Sequence, residues 1–159
     1  MQTFLKSVKT TEEAQKLTLQ IDNLLESLFY EGKEEFEKAV SAIRYDVSEI
    51  IKEEFLRDEK YNGKETIKDF LTKLKEKIQT LKILELNIAF DPSDKTIETI
   101  HDWVLNNIGE DYVLSVTVDK RLIGGAIVIY DGKYKDFSLK KKLDEVFAAK
   151  REEIAEIFL

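Results

Sequence analysis

Residues Leu114 to Leu143 read LSVTVDKRLIGGAIVIYDGKYKDFSLKKKL, and this run decides the fold of the second half of the chain. Tyr112 to Asp119 is rich in β-formers, with Val113, Leu114, Val116, Thr117 and Val118, which predicts an at least half-buried strand. Gly124 and Gly125 interrupt it. A glycine pair at the entrance of a strand supplies a bulge, a bend with φ > 0, or room for another backbone to come close. Ala126 to Tyr130 is a second, short apolar strand. Asp131-Gly132 is a hairpin turn, and Lys133 to Asp136 returns beside it. Ser138 has the side chain to cap a helix through Leu139, Leu143 and Phe147.

Upstream of this run the period is helical. Ala14, Leu17, Ile21, Leu24 and Leu28 form one apolar stripe over Thr11 to Tyr30, and Thr10 with Glu13 makes a capping box at its start. Gly32 ends that helix. Phe36, Val40, Ile43, Val47, Ile50 and Ile51 repeat the spacing, predicting a single second helix from about Lys33, antiparallel to the first. Tyr61, Asn62 and Gly63 mark a break before a third helix carrying Ile67, Phe70, Leu71, Leu74 and Ile78. From Leu81 the pattern changes to a strand through Ile83, Leu84, Leu86, Ile88, Ala89 and Phe90. Asp91 as cap and Pro92 at the first helical position then open a helix through Ile97, Ile100, Trp103, Val104 and Ile108.

The fold class is therefore α+β. An N-terminal antiparallel helical bundle over residues 1–80 precedes a small β-α-β-β-β-α domain over 81–159, whose sheet two helices are expected to cover. Halves of about 80 residues bury little more than enough to offset chain entropy, so partner surfaces should add to their stability.

The composition narrows the function classes. The chain has 159 residues, 43% of them hydrophobic, enough for a core. Its formal net charge of −7 disfavours broad contact with nucleic acid or anionic lipid. With no cysteine there is neither a disulfide framework nor a thiolate metal site, and a reducing compartment is compatible. No apolar run approaches the roughly 20 residues that span a bilayer, and MQTFLKSVKTTEE lacks the apolar core of a signal peptide, so membrane association is expected only through other proteins.

Little in the chain is suited to catalysis. His101 is the lone histidine and reads as an ordinary surface or boundary residue. Neighbouring acids such as Glu12-Glu13, Glu34-Glu35, Glu53-Glu54 and Glu152-Glu153 point about 100° apart on a helix and do not converge. Gly124-Gly125 lacks the Lys and Ser/Thr of a phosphate loop. No catalytic residue, cofactor or metal site is assigned. Two features have two readings each: the basic run Lys140 to Lys142 is either solvated charge or a contact for an acidic partner segment, and the apolar C-terminal residues Ile154, Ile157, Phe158 and Leu159 either pack back on the chain's own sheet or bundle or dock a partner helix.

The run from Val116 to Leu143 resembles the C-terminal signature of the delta subunit of F-type ATP synthases, the oligomycin-sensitivity-conferring protein family. The residues that carry the resemblance include Val118, Asp119, Leu122, Ile123, Gly124, Gly125, Asp136, Ser138 and Leu143. It extends more loosely upstream to Leu84 and covers about half of the chain.

The resemblance implies a non-catalytic stator subunit of the peripheral stalk, serving proton-driven ATP synthesis at the cytoplasmic face of the inner (plasma) membrane. Residues 1–80 would face the alpha subunits and 81–159 the b subunits, and the signature positions would be structural. Phe147, Ile154, Ile157 and Phe158 are the expected partner contacts. The bundle is shortened relative to the family's. Two other readings stand: the E-type stator subunit of archaeal or vacuolar rotary ATPases, whose C-terminal domain also has paired glycines in a strand, and a free-standing helical adaptor or dimerisation module.

Overall fold

In the computed structural model the described residues are 6–30, 33–53 and 64–150. The helices α1 (Thr11–Tyr30), α2 (Lys33–Ala42), α3 (Tyr45–Ile51) and α4 (Lys64–Gln79) come first, followed by β1 (Lys82–Ile88), α5 (Asp94–Asn107), β2 (Tyr112–Val118), β3 (Ala126–Tyr130), β4 (Lys133–Asp136) and α6 (Leu139–Ala149). This is the α+β architecture expected from the sequence. The Tyr61–Gly63 break lies outside the described residues.

The apolar stripes of α1, α2 and α4 meet in one core. Leu17, Ile21, Leu24 and Leu28 from α1 pack with Phe36 and Val40 from α2, Ile43, Ile51 from α3, and Ile67, Leu71, Leu74 and Ile78 from α4. Each such side chain contributes about 1.5–3 kcal/mol by leaving water. The capping box forms with a shift of one residue. The Glu13 N–H donates to Thr10 Oγ1 at 3.2 Å, while Glu13 Oε2 accepts from the Lys9 N–H at 2.8 Å.

The single second helix expected from Lys33 to Ile51 is instead two helices. Arg44 breaks it with φ −47°, ψ 131°, and α3 restarts from there. The Arg44 guanidinium donates to the carbonyl and hydroxyl oxygens of Ser7 and lies 3.6 Å from a Glu13 carboxylate oxygen. Val40, Ile43 and Ile51 are buried on both sides of the break. The hydrophobic spacing runs through it, so the pattern alone gave no sign.

The sheet has the order β2-β1-β3-β4. β1 and β2 are parallel, with α5 as the crossover, and β3 pairs antiparallel with both β1 and β4. Asp131 and Gly132, with φ of 47° and 70°, give the β3–β4 hairpin the left-handed turn that suits strand twist. α5 starts later than the Asp91-Pro92 reading. Ser93 is the cap, its hydroxyl accepting the Thr96 N–H at 3.2 Å, because Ser93 places an acceptor over that N–H one turn into the run. Val104 and His101 of α5 are buried, and Val104 packs on Leu84, Leu86, Ile88, Tyr112 and Leu114.

His101 is a core residue, only 1% exposed, which corrects the surface or boundary expectation. Its ring nitrogens have no hydrogen-bond partner among the described residues. Burial pushes the imidazole below its ordinary pKa.

The helical and sheet-bearing halves touch along the start of β2. Val8 and Val113 are both buried in the helical core. The Leu114 N–H donates to the Lys9 carbonyl at 2.9 Å, making a one-rung parallel bridge at Thr10. Two surface ion pairs, Lys6–Glu110 at 2.7 Å and Lys9–Glu98 at 2.8 Å, flank it. Exposed pairs are screened by water and salt and contribute little, so the apolar contact and the bridge are the stronger ties.

The second helix expected over the sheet is not there. Every described side chain of α6 is exposed. Backbone bonds at its base, rather than apolar burial, hold it to the sheet.

Candidate functional site

The glycine pair and the start of α6 form one corner. Gly125 has φ +82°, and a β-carbon there would overlap the carbonyl oxygen of Phe137 and meet Ser138 Cα at 3.0 Å. Of the roles a glycine pair can fill, Gly125 thus serves two, the left-handed bend and the close backbone approach. The Phe137 N–H donates to the Ala126 carbonyl and the Leu139 N–H to the Gly124 carbonyl, each at 2.8 Å. These two bonds bracket Ser138, which is only 3% exposed.

Ser138 Oγ accepts from the Lys141 N–H at 3.3 Å and caps α6. Asp136 Oδ1 accepts from the Ser138 N–H at 2.8 Å. The hydrogen bonds from Ser138 hold the Asp136 carboxyl below the usual carboxylate range. The corner is therefore built from Gly124, Gly125, Asp136, Ser138 and Leu139, a set dispersed along the sequence that the hairpin folds together.

Asp119 anchors the other end of the loop. Its N–H donates to the Ile88 carbonyl at 2.8 Å, extending the β1–β2 ladder, and its carbonyl accepts from the Leu122 N–H at 3.0 Å. The carboxylate accepts from the Arg121 N–H, Nε and Nη2 at 2.9–3.0 Å. That fork lowers the Asp119 pKa to about 2. Leu122 is half-buried, whereas Ile123 is 69% exposed and Val118 39% exposed. The signature residues thus separate into the corner, the Asp119 turn, and Leu143, which stands out on α6.

From this base α6 carries an uncovered apolar stripe. Leu139, Leu143, Val146 and Phe147 occupy helix positions i, i+4, i+7 and i+8 and are 42%, 39%, 53% and 57% exposed. Phe137, just before the cap, adds to it. Lys140, Lys141 and Lys142 flank the stripe in the first turn, where the helix dipole disfavours positive charge. An isolated helix of this length is marginal in water. Burial of the stripe against another chain would supply what propensity does not. Phe147 is on this stripe; Ile154, Ile157 and Phe158 lie outside the described residues.

Among the described residues no three His, Asp or Glu side chains are grouped to hold a metal ion. No described helix is long and apolar enough to cross a membrane.

The family model for the ATP synthase delta (OSCP) subunit matches residues 2–149. The delta subunit of the ATP synthase of Thermosipho africanus is 32% identical over 69 residues, which are 43% of this chain and 38% of that protein. A more distant similarity covers nearly the whole chain: the E subunit of the A-type ATP synthase of Saccharolobus solfataricus is 27% identical over 155 residues, 94% of this chain and 71% of that protein. The corresponding protein of a Saccharolobus islandicus strain is 25% identical over 148 residues, 91% of this chain and 67% of that protein. The chain thus spans well under half of the delta relative it matches and about two thirds of the A-type relatives. With residues 2–149 of its 159 matched by the family model, the chain belongs to the ATP synthase delta (OSCP) subunit family.

Proposed function

We propose that this chain is a stator clamp whose α6 stripe docks the C-terminal helix of a b-type stalk subunit, while the bundle of residues 1–80 faces N-terminal segments of the alpha subunits. The single observation that supports this most is an amphipathic helix fixed at its base by backbone and side-chain bonds yet bare along Leu139, Leu143, Val146 and Phe147. A stator transmits torque without turnover, and a rigid base with apolar anchors suits slow dissociation. Lys140–Lys142 would steer acidic residues of the docked helix. Signature positions then serve the mount rather than the contact: Gly124, Gly125, Asp136 and Ser138 hold the corner, and Val118, Asp119, Leu122 and Ile123 the loop leading to it. Residues 81–159 act as the b-facing unit, with Phe147, Ile154, Ile157 and Phe158 as its contacts. The chain reaches the cytoplasmic face of the membrane through these partners.

The test is purification of the assembled complex through this chain with Leu143→Asp and Phe147→Asp. Both residues are exposed, so the fold should keep its thermal midpoint while the stalk helix is lost from the purified complex. Full retention of the stalk helix in both variants would overturn the reading. The near full-length similarity to the A-type E subunits favours a second reading, a stator of an A-type enzyme. The companions recovered with the unaltered chain separate the two, being alpha and b chains for the first and A-type subunits for the second.

A further inference from the structure

The outer edge of β2 is bare beyond its one bridge. The bonds Lys82 N–H to Asp111 carbonyl and Asp119 N–H to Ile88 carbonyl turn the odd-numbered backbone groups of β2 toward β1. The even-numbered groups point outward, and Leu114 spends its N–H on the Lys9 carbonyl, which pairs it with Thr10 in the bridge. One residue later the N-terminal segment turns into α1, leaving the outward N–H groups of Val116 and Val118 with no backbone partner among the described residues.

Val116 and Val118 line a groove of about 760 Å³ between the first turns of α1 and α5. Glu12 and Lys16 stand on one wall, Asp91, Asp94 and Ile97 on the other. Lys9 is paired with Glu98, and Glu13 faces Arg44. Glu12, Asp91 and Asp94 form no ion pair among the described residues, so three acids face one lysine.

Edge strands normally carry a defence against pairing. β4, at the opposite edge, has Lys133 and Lys135. Val116-Thr117-Val118 has no Lys, no Pro and two exposed β-branched residues. An edge so suited to pairing, at the floor of an acidic groove and in line with a rung already formed, fits a further strand.

We propose that the β2 edge at Val116–Val118 receives an extended, lysine- or arginine-bearing segment of a partner polypeptide by strand addition. Its backbone pairs with Val116 and Val118, its apolar residues face Ile97, and its cations face Asp91, Asp94 and Glu12. This does not depend on what docks on α6.

The test is titration of the full ¹⁵N-labelled chain with the blocked peptide Lys-Val-Lys-Val-Lys and with Glu-Val-Glu-Val-Glu. The basic peptide should slow amide exchange at Val116 and Val118 by about tenfold at saturation, and its binding should weaken with salt. The acidic peptide should not bind. Val116→Pro removes one outward donor without touching the β1 ladder and should weaken binding about tenfold. Since Pro can disturb the strand, Asp91→Lys with Asp94→Lys gives a second variant, expected to abolish the salt-dependent binding with the fold intact. Unchanged Val116 and Val118 amides, equal binding of the acidic peptide, or shifts confined to α6 would overturn the proposal. So would protection that rises with protein concentration in the free chain, which would assign the edge to a second copy.

Discussion

The Leu139 N–H donates to the Gly124 carbonyl at 2.8 Å, so the first turn of α6 hangs from the backbone of the glycine pair. The Phe137-to-Ala126 bond of equal length fixes the preceding residue. Backbone bonds leave side chains free. The helix direction is set while the stripe from Leu139 to Phe147 stays available to another chain.

Gly125 and Gly132 both have positive φ, at 82° and 70°, but they differ in surroundings. Nothing lies within 4 Å of a β-carbon on Gly132, whereas one on Gly125 would overlap Phe137 backbone. Gly132→Ala should cost about 1 kcal/mol, and Gly125→Ala about 3 kcal/mol or more. Urea denaturation of the two variants compares them, and equal losses would refute the close-approach argument.

Ser138→Ala removes the α6 cap, and about 1 kcal/mol of local stability should go with it. Because the helix buries no described side chain, the effect should concentrate in faster amide exchange over Leu139 to Ala149. An unchanged exchange pattern there would show that the cap is idle.

Burial depresses the His101 pKa. A group less basic in the folded state than its unfolded value of about 6.5 takes up its proton preferentially on unfolding. Stability should be complete above that value and fall as pH drops below it, by at most about 1.4 kcal/mol per pH unit. His101→Leu should flatten that part of the curve. A wild-type stability independent of pH from about 6.5 down to the acid limb would contradict the burial.

For Asp119 the window is lower. Its folded pKa of about 2 lies below the unfolded carboxylate value of about 3.9. The stabilisation is therefore present above about pH 4 and disappears as pH falls toward about 2. Carboxyl NMR titration should find the low value, and Arg121→Ala should return it to the ordinary range.

Leu71→Ala, in the helical core at 0% exposure, should cost about 2–5 kcal/mol. Phe147→Ala, on the uncovered stripe, should change monomer stability by no more than about 0.5 kcal/mol. A large loss for Phe147 would mean that α6 packs on its own chain.

The sequence by itself determined the element order apart from the split of the second helix, the three α1, α4 and α5 stripes, the Asp131-Gly132 hairpin, and the Ser138 cap, because each depends on side chains within a few residues of one another. It also carried the family, through a motif whose glycines and cap stand in fixed local order. Only the tertiary structure decided the rest. Arg44 breaks the second helix through contacts with Ser7 and Glu13, far upstream and invisible to a periodic pattern. His101 is buried because α5 lies face-on to the sheet, and one polar residue on a helical stripe gives no sign of that. The same holds for α6. Its amphipathic spacing is identical whether it covers its own sheet or stands clear of it, and the choice was made by where the Gly124 carbonyl and the Phe137 backbone direct the helix.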